Sequence, residues 1–137
     1  MIEMPVKNKT DYKAENLLFL QAKSQESGVE KLSEGVLYEV LQRGEGKAVN
    51  PTGIVSVYYK GWCINGKVFD DNTMQSYPDA LRLNSLIRGW QIALVRMRVG
   101  DKWRIYVPSE LGYGAVSVPG IPKYSTLIFE IEVVAVM

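Results

Sequence analysis

The chain has 137 residues, 16 Lys and Arg against 15 Asp and Glu, a net charge of +1, one cysteine and no histidine. That length suits one compact domain, and the balanced charge gives no electrostatic footprint for nucleic acid, anionic lipid or acidic substrates. Without histidine there is no Ser-His-Asp or Cys-His nucleophile system, no imidazole proton shuttle and no imidazole metal ligand. Cys63 alone makes no internal disulfide, zinc-thiolate cluster or redox pair. No cofactor and no metal are expected, and a reaction with little or no proton transfer moves up the list.

The first residues, Met1 to Lys7, lack a basic start and an apolar h-region. No apolar run approaches the ~20 residues that cross a bilayer. A cytoplasmic location is the default expectation, with the periplasm as the alternative if a signal peptide has been removed. Residues 1–33 are polar and read as an N-terminal arm, and 34–137 as the main domain. Within the arm, Ala14 to Ser27 reads as a helix. Leu17, Leu18, Gln21 and Ala22 form its narrow stripe, and Gly28 is its stop. Alone such a helix is marginal in water, so it packs on the body or on a partner.

From about Gly35 the hydrophobic period switches to two. Val36 to Gln42 reads as a strand, followed by the turn-rich Arg43-Gly44-Glu45-Gly46. Ile54 to Ile64 is a long strand ended by the hairpin signal Asn65-Gly66, and Lys67, Val68 and Phe69 begin the return. Arg88 to Met97 carries Trp90, Ala93, Leu94 and Met97 at helical spacing, closed by Gly100. Lys102 to Val107 alternates, with Trp103, Ile105 and Val107 on one face. Thr126 to Val136 does the same, with Glu130 and Glu132 on its polar face. The expected fold is α+β: an antiparallel sheet with one wet face, its other face buried on a short helix.

Four stretches stand out: Val57-Tyr58-Tyr59-Lys60-Gly61, Gly66-Lys67-Val68-Phe69-Asp70, Leu86-Ile87-Arg88-Gly89-Trp90, and Ser109 to Gly114 with Pro119-Gly120-Ile121-Pro122 and Ser125 to Phe129. Singly, a strand aromatic is usually core packing. Asp70, taken alone, is expected in solvent; the alternative is burial with a hydrogen bond from a nearby tyrosine. Period two puts Tyr59 on the face of Val55 and Val57, and Phe129 on that of Leu127 and Ile131. Both point toward the helix that begins near Trp90.

In this order and spacing, with Gly100-Asp101-Lys102-Trp103-Arg104, the motifs make residues 35–137 resemble the FKBP-type peptidyl-prolyl cis-trans isomerases. These are immunophilins, which bind rapamycin-like macrolides. The resemblance implies a bent antiparallel half-barrel wrapped around one short helix, with the pocket between them. It implies Trp90 as the floor under a proline ring, and Tyr59, Phe69 and Phe129 as aromatic walls joined by Leu86, Ile87 and Ile121. It implies that the Ile87 N–H and the Tyr113 hydroxyl hold substrate carbonyls, and that Asp70 is held at the rim by Tyr59. The implied partners are proline-containing protein segments and rapamycin-like macrolides. The implied activity is acceleration of X-Pro rotation as a folding helper. The polar leader resembles that of bacterial members with a dimerising or chaperone arm; a helix packed on the domain surface and an arm-mediated dimer both stay open.

Leu81 and Leu83 stand where many members carry aromatic residues, so one wall is expected to be aliphatic, with Tyr77 as a candidate substitute. Val116 and Val118 make the tip loop apolar. Cys63 is expected as a buried strand residue rather than a reactive thiol. A weakly active chaperone or protein-binding module is the alternative function, and a small-molecule carrier barrel is disfavoured because no closed eight-strand pattern is present.

Overall fold

Alternating apolar residues build the centre of the fold. The computed structural model describes residues 9–137, with side chains from Asp11 onward; the Met1–Lys7 reading lies outside the described residues. A helix, α1 (Lys9–Ser24), precedes seven strands: β1 (Glu30–Lys31), β2 (Leu37–Gln42), β3 (Ile54–Trp62), β4 (Val68–Asp71), β5 (Asp79–Arg82), β6 (Lys102–Val107) and β7 (Leu127–Val136). A second helix, α2 (Arg88–Leu94), lies between β5 and β6. The strands form one antiparallel sheet in the order β1-β2-β6-β7-β3-β4. β5 pairs with the first part of β3 (Ile54↔Arg82 to Val57↔Asp79), and β4 with its last part (Lys60↔Asp71 onward).

Register breaks between Ser56 and Val57, between Val40 and Gln42, and between Gly61 and Trp62 bend the strands. The bent sheet closes over α2. Trp90, Ala93, Leu94 and Met97 meet Val55, Val57, Ile105, Leu127 and Ile131 in one core. Side chains of this size stabilise by ~1.5–3 kcal/mol each when fully buried. The approach of α2 to the sheet depends on Gly89: a Cβ there would lie 2.4 Å from a Val107 methyl.

The strand expectations match to within one or two residues, and β6 as stated. Four expectations are corrected. The arm helix, expected over Ala14 to Ser27, runs Lys9–Ser24, and Asp79–Arg82, given no element from sequence, is a strand whose backbone completes the β3 edge. The helix near Trp90 ends at Leu94, with Met97 buried in the turn beyond.

The fourth correction concerns the outer face of the sheet, which is not simply wet. Leu37, Tyr106 and Ile128 are buried there in a second, smaller core completed by Phe19, Leu20, Val29, Trp62 and Ile64. α1 covers this patch with Tyr12, Asn16, Phe19, Leu20 and Lys23, spaced at helical period on one face. Leu17 and Leu18, read as the packed stripe, face away and are 54% and 64% exposed. The helix packs on the domain, and its buried stripe is offset because Tyr12, Asn16 and Lys23 contribute polar contacts that a hydrophobic count does not register. The Phe19 and Tyr106 rings lie 6.1 Å apart, with Lys23 Nζ 5.6 Å from both. The Tyr106 hydroxyl donates to the Glu39 carboxylate; burial and that bond push its pKa up to about 12. No described helix is long and apolar enough to cross a membrane.

The two faces of α1 separate in a urea titration. Phe19→Ala is expected to lower the unfolding free energy by about 1–3 kcal/mol, below the range for a fully buried Phe. Leu17→Ala should stay within about 0.5 kcal/mol. The reverse order would restore the stripe read from sequence.

Candidate active site

The site grows out of β3. Its alternation places Tyr59 inward, after Val55 and Val57. Opposite Gly61 the chain returns as β4, bringing Phe69 and Asp70 alongside. Gly61 makes room for the aromatic wall: a Cβ there would meet the Phe69 ring at 2.7 Å and the Phe129 ring at 2.8 Å. Leu86 and Ile87 lead into α2, and the Gln91 amide donates to the Leu86 carbonyl at 2.8 Å, fixing that lip. Trp90 follows in the first turn of α2 and is 3% exposed.

These residues enclose a cavity of about 490 Å³. All nine residues singled out from sequence line it: Tyr59, Phe69, Asp70, Leu86, Ile87, Trp90, Tyr113, Ile121 and Phe129. The rings meet edge to face, with Tyr59–Trp90 centroids 5.0 Å apart, Trp90–Phe129 5.3 Å and Phe69–Phe129 5.6 Å. This geometry adds about 0.5–1.5 kcal/mol per pair beyond burial. Leu81 also lines the cavity, as the aliphatic wall; Leu83 does not, being fully buried in the core. Tyr77 is 76% exposed and does not substitute for a wall. Val118 of the tip loop lines it too, and Ser85 and Pro119, not anticipated from sequence, complete the lining.

Asp70 is exposed, as expected of it alone, and not buried; the Tyr59 hydroxyl nevertheless donates to its Oδ2 at 2.6 Å. Burial pushes the Tyr59 pKa well above the ordinary tyrosine value. The Asp70 hydrogen bond and charge add to this, as do the charges of Asp79 and Tyr113. Tyr59 is therefore a neutral donor through the physiological range. Cys63 is buried just past the end of β3, and burial pushes its thiol pKa up, so it stays protonated and unreactive.

Sequence reasoning missed Asn72, which positions Tyr59. β5 leaves the β3 edge at Val57 and β4 joins it at Lys60. The Asn72 side chain fills the gap. Its Oδ1 accepts the Tyr59 N–H at 2.6 Å, and its Nδ2 donates to the Val57 carbonyl at 3.0 Å and to Asp79 Oδ2 at 3.1 Å. Its own N–H donates to the Tyr59 carbonyl at 3.0 Å. A carboxamide thus stands in for a strand residue. The only sequence signal was a polar Asn directly after the β4 carboxylates.

Comparison with known proteins accords with this geometry. The family model described as FKBP-type peptidyl-prolyl cis-trans isomerase matches residues 45–134. The chain is 42% identical over 119 residues to the peptidyl-prolyl cis-trans isomerase Mip of Coxiella burnetii, covering 86% of this chain and 52% of that one. It is 37% identical over 130 residues to the FKBP-type isomerase FkpA of Escherichia coli, covering 95% and 48%. A crystal structure of a peptidyl-prolyl cis-trans isomerase from Pseudomonas syringae superposes with a TM-score of 0.87 at 34% identity, covering 97% of this chain and 98% of that one. The chain belongs to the FKBP-type peptidyl-prolyl cis-trans isomerase family, and it spans about half the length of the Mip and FkpA relatives.

Two outcomes follow from the site's hydrogen bonds. Asn72→Ala leaves the Tyr59 N–H and the Val57 carbonyl without these partners. It should cost about 1–3 kcal/mol or more in denaturant and shift the Trp90 indole resonance through the displaced Tyr59 ring; an unshifted indole would show that Asn72 does not place Tyr59. The folded state also holds the Tyr59 proton more tightly than the unfolded chain. That stabilisation is present below about pH 10 and is lost as pH rises beyond it. Stability measured against pH should fall on the alkaline side, and less steeply in Tyr59→Phe.

Proposed function

We propose that this chain accelerates cis-trans rotation of X-Pro bonds in protein segments, as a folding helper, without covalent chemistry, cofactor or metal. The observation that supports this most strongly is the edge-on cage of Tyr59 and Phe129 over Trp90, in a cavity with one lining carboxylate that is already bonded to Tyr59. The roles are those expected from the motifs. Trp90 floors the proline ring. Tyr59, Phe69, Phe129, Leu86, Ile87 and Ile121 wall it. The Ile87 N–H and the Tyr113 hydroxyl hold the flanking carbonyls. Asp70, held by Tyr59, presents its carboxylate at the rim.

The barrier to rotation is ~18–20 kcal/mol because the C–N bond is partly double. The twisted amide has lost conjugation and is less polar than the planar form. A dry aromatic cavity therefore favours the twisted state over the planar one, which water solvates better. Fixed donors hold the flanking carbonyls in a bent pose. Lowering the barrier by ~4–5 kcal/mol accelerates the rotation about a thousandfold or more. No step needs a group that titrates near neutral pH.

The same cavity suits the prolyl-like ring of a rapamycin-like macrolide, with the Leu81 wall weakening the fit. Residues 34–137 act as the isomerase domain and 1–33 as the arm. A second reading, a protein-binding module with little rotation activity, draws support from exposed apolar side chains in the tip loop and in the segment after β4: Val116 is 62% exposed and Met74 93%.

Proline-limited refolding of a model protein tests the proposal. Micromolar chain should speed the slow phase, with a rate flat across neutral pH. Tyr113→Phe should lower kcat/KM by about 2–10-fold, the loss of one neutral hydrogen bond. Suppressed aggregation with no acceleration would establish the second reading instead.

A further inference from the structure

α1 lies on the outer face of the sheet, yet its polar contacts converge on one short stretch, Tyr124 to Thr126. The Asn16 side chain is 3% exposed; its Oδ1 accepts the Thr126 N–H at 2.7 Å and its Nδ2 donates to the Tyr12 carbonyl at 2.7 Å. The Tyr12 and Ser125 hydroxyls are 2.9 Å apart, and Ser125 Oγ also donates to the Pro122 carbonyl at 2.6 Å. Lys13 Nζ sits over the Tyr124 ring, 4.7 Å from its centroid. Three consecutive residues of the loop base are thus tied to three residues of one helix.

Tyr124 is where the loop stores strain. Its φ is +64°, a left-handed conformation costing an L residue with a Cβ on the order of 1–2 kcal/mol, which persists only when neighbours over-determine it. In that conformation its N–H donates to the Gly114 carbonyl at 2.8 Å, closing residues 114–124 into a ring. That loop carries the cavity lining residues Val118 and Ile121, whose backbones bond to each other at 2.9 and 3.1 Å, and Tyr113 enters it. On its underside the Cys63 thiol contacts the Gly120 carbonyl at 3.9 Å. The cavity wall therefore hangs from a strained residue flanked by the contacts of α1.

We propose that α1 braces the cavity wall, with Tyr12, Lys13 and Asn16 as positioning residues that hold the loop 113–124 in its substrate-ready form. The arm thereby sets the affinity of the site it does not touch. The proposal rests on the isomerase reading for its kinetic part alone. With the brace loosened, Tyr124 relaxes, the competent loop is only fractionally populated, and apparent affinity falls by that fraction. The bound state selects the same wall, so kcat is preserved.

The test uses the full chain with Tyr12→Phe, Asn16→Ala and Ser125→Ala, singly and with Tyr12→Phe and Ser125→Ala combined. Amide hydrogen exchange across 114–124 is read first, and isomerase kinetics second. Faster exchange in that loop is expected in each variant. KM should rise about three- to tenfold for Asn16→Ala, with kcat within about twofold. Tyr12→Phe and Ser125→Ala should combine to less than the sum of their separate effects, since both break the Tyr12–Ser125 contact. Val133→Ala, at the far end of β7, is the control for general destabilisation and should leave the loop's exchange and KM unchanged. Unchanged exchange in the arm variants would overturn the brace. So would a joint fall of kcat and stability that Val133→Ala reproduces. An inactive wild-type chain with loop exchange that still responds to Asn16→Ala would overturn the isomerase reading and leave the brace standing.

Discussion

The close approach of α2 to the concave side of the sheet is the constraint on which the rest depends. It requires a residue without a side chain at 89, because the Val107 methyls occupy the space. With the helix that near, the next residue, Trp90, is driven under the rings of Tyr59 and Phe129. Trp90 is therefore a core residue on one side and a cavity floor on the other. Hydrophobic burial that stabilises the fold also builds the dry surface that the proposed reaction needs, so site and core cannot be varied independently.

The β3 edge shows the same economy. Two short strands pair with it in succession, and the interval between them is satisfied by a side chain rather than by backbone. An unpaired N–H and carbonyl at that point would be costly, and they belong to Tyr59 and Val57, the residues that orient the wall. Asn72 is thus both a joint in the sheet and a support for the cavity.

How much was legible follows from which forces leave a pattern. Strong alternation over β6 and β7 marked strands, inner face and the direction of Phe129 directly. Gly61, Gly89 and Trp90 lie within motifs whose packing tolerates little else, and those motifs carried the family resemblance and nine of the residues that line the cavity. The α1 stripe was misjudged at Leu17 and Leu18 because the face that packs is held by Asn16 and Tyr12, whose partners at Thr126 and Ser125 lie more than 100 positions away. Tyr106 lies on the face expected to be wet and is buried for the same reason: its cover is a helix that strand periodicity cannot foresee. β5 was given no element from sequence because Asp79 to Arg82 has too little hydrophobic contrast to announce a strand; its place is set by the edge it completes.

The two borders of the sheet have one more consequence. One border is β1, two residues long; the other is divided between β4 and β5, four residues each, with the Asn72 carboxamide between them. Neither offers a long row of free backbone groups onto which an extended chain could add as a further strand. A segment bound at the cavity, as proposed, therefore meets no long border on which to add as a further strand and seed aggregation.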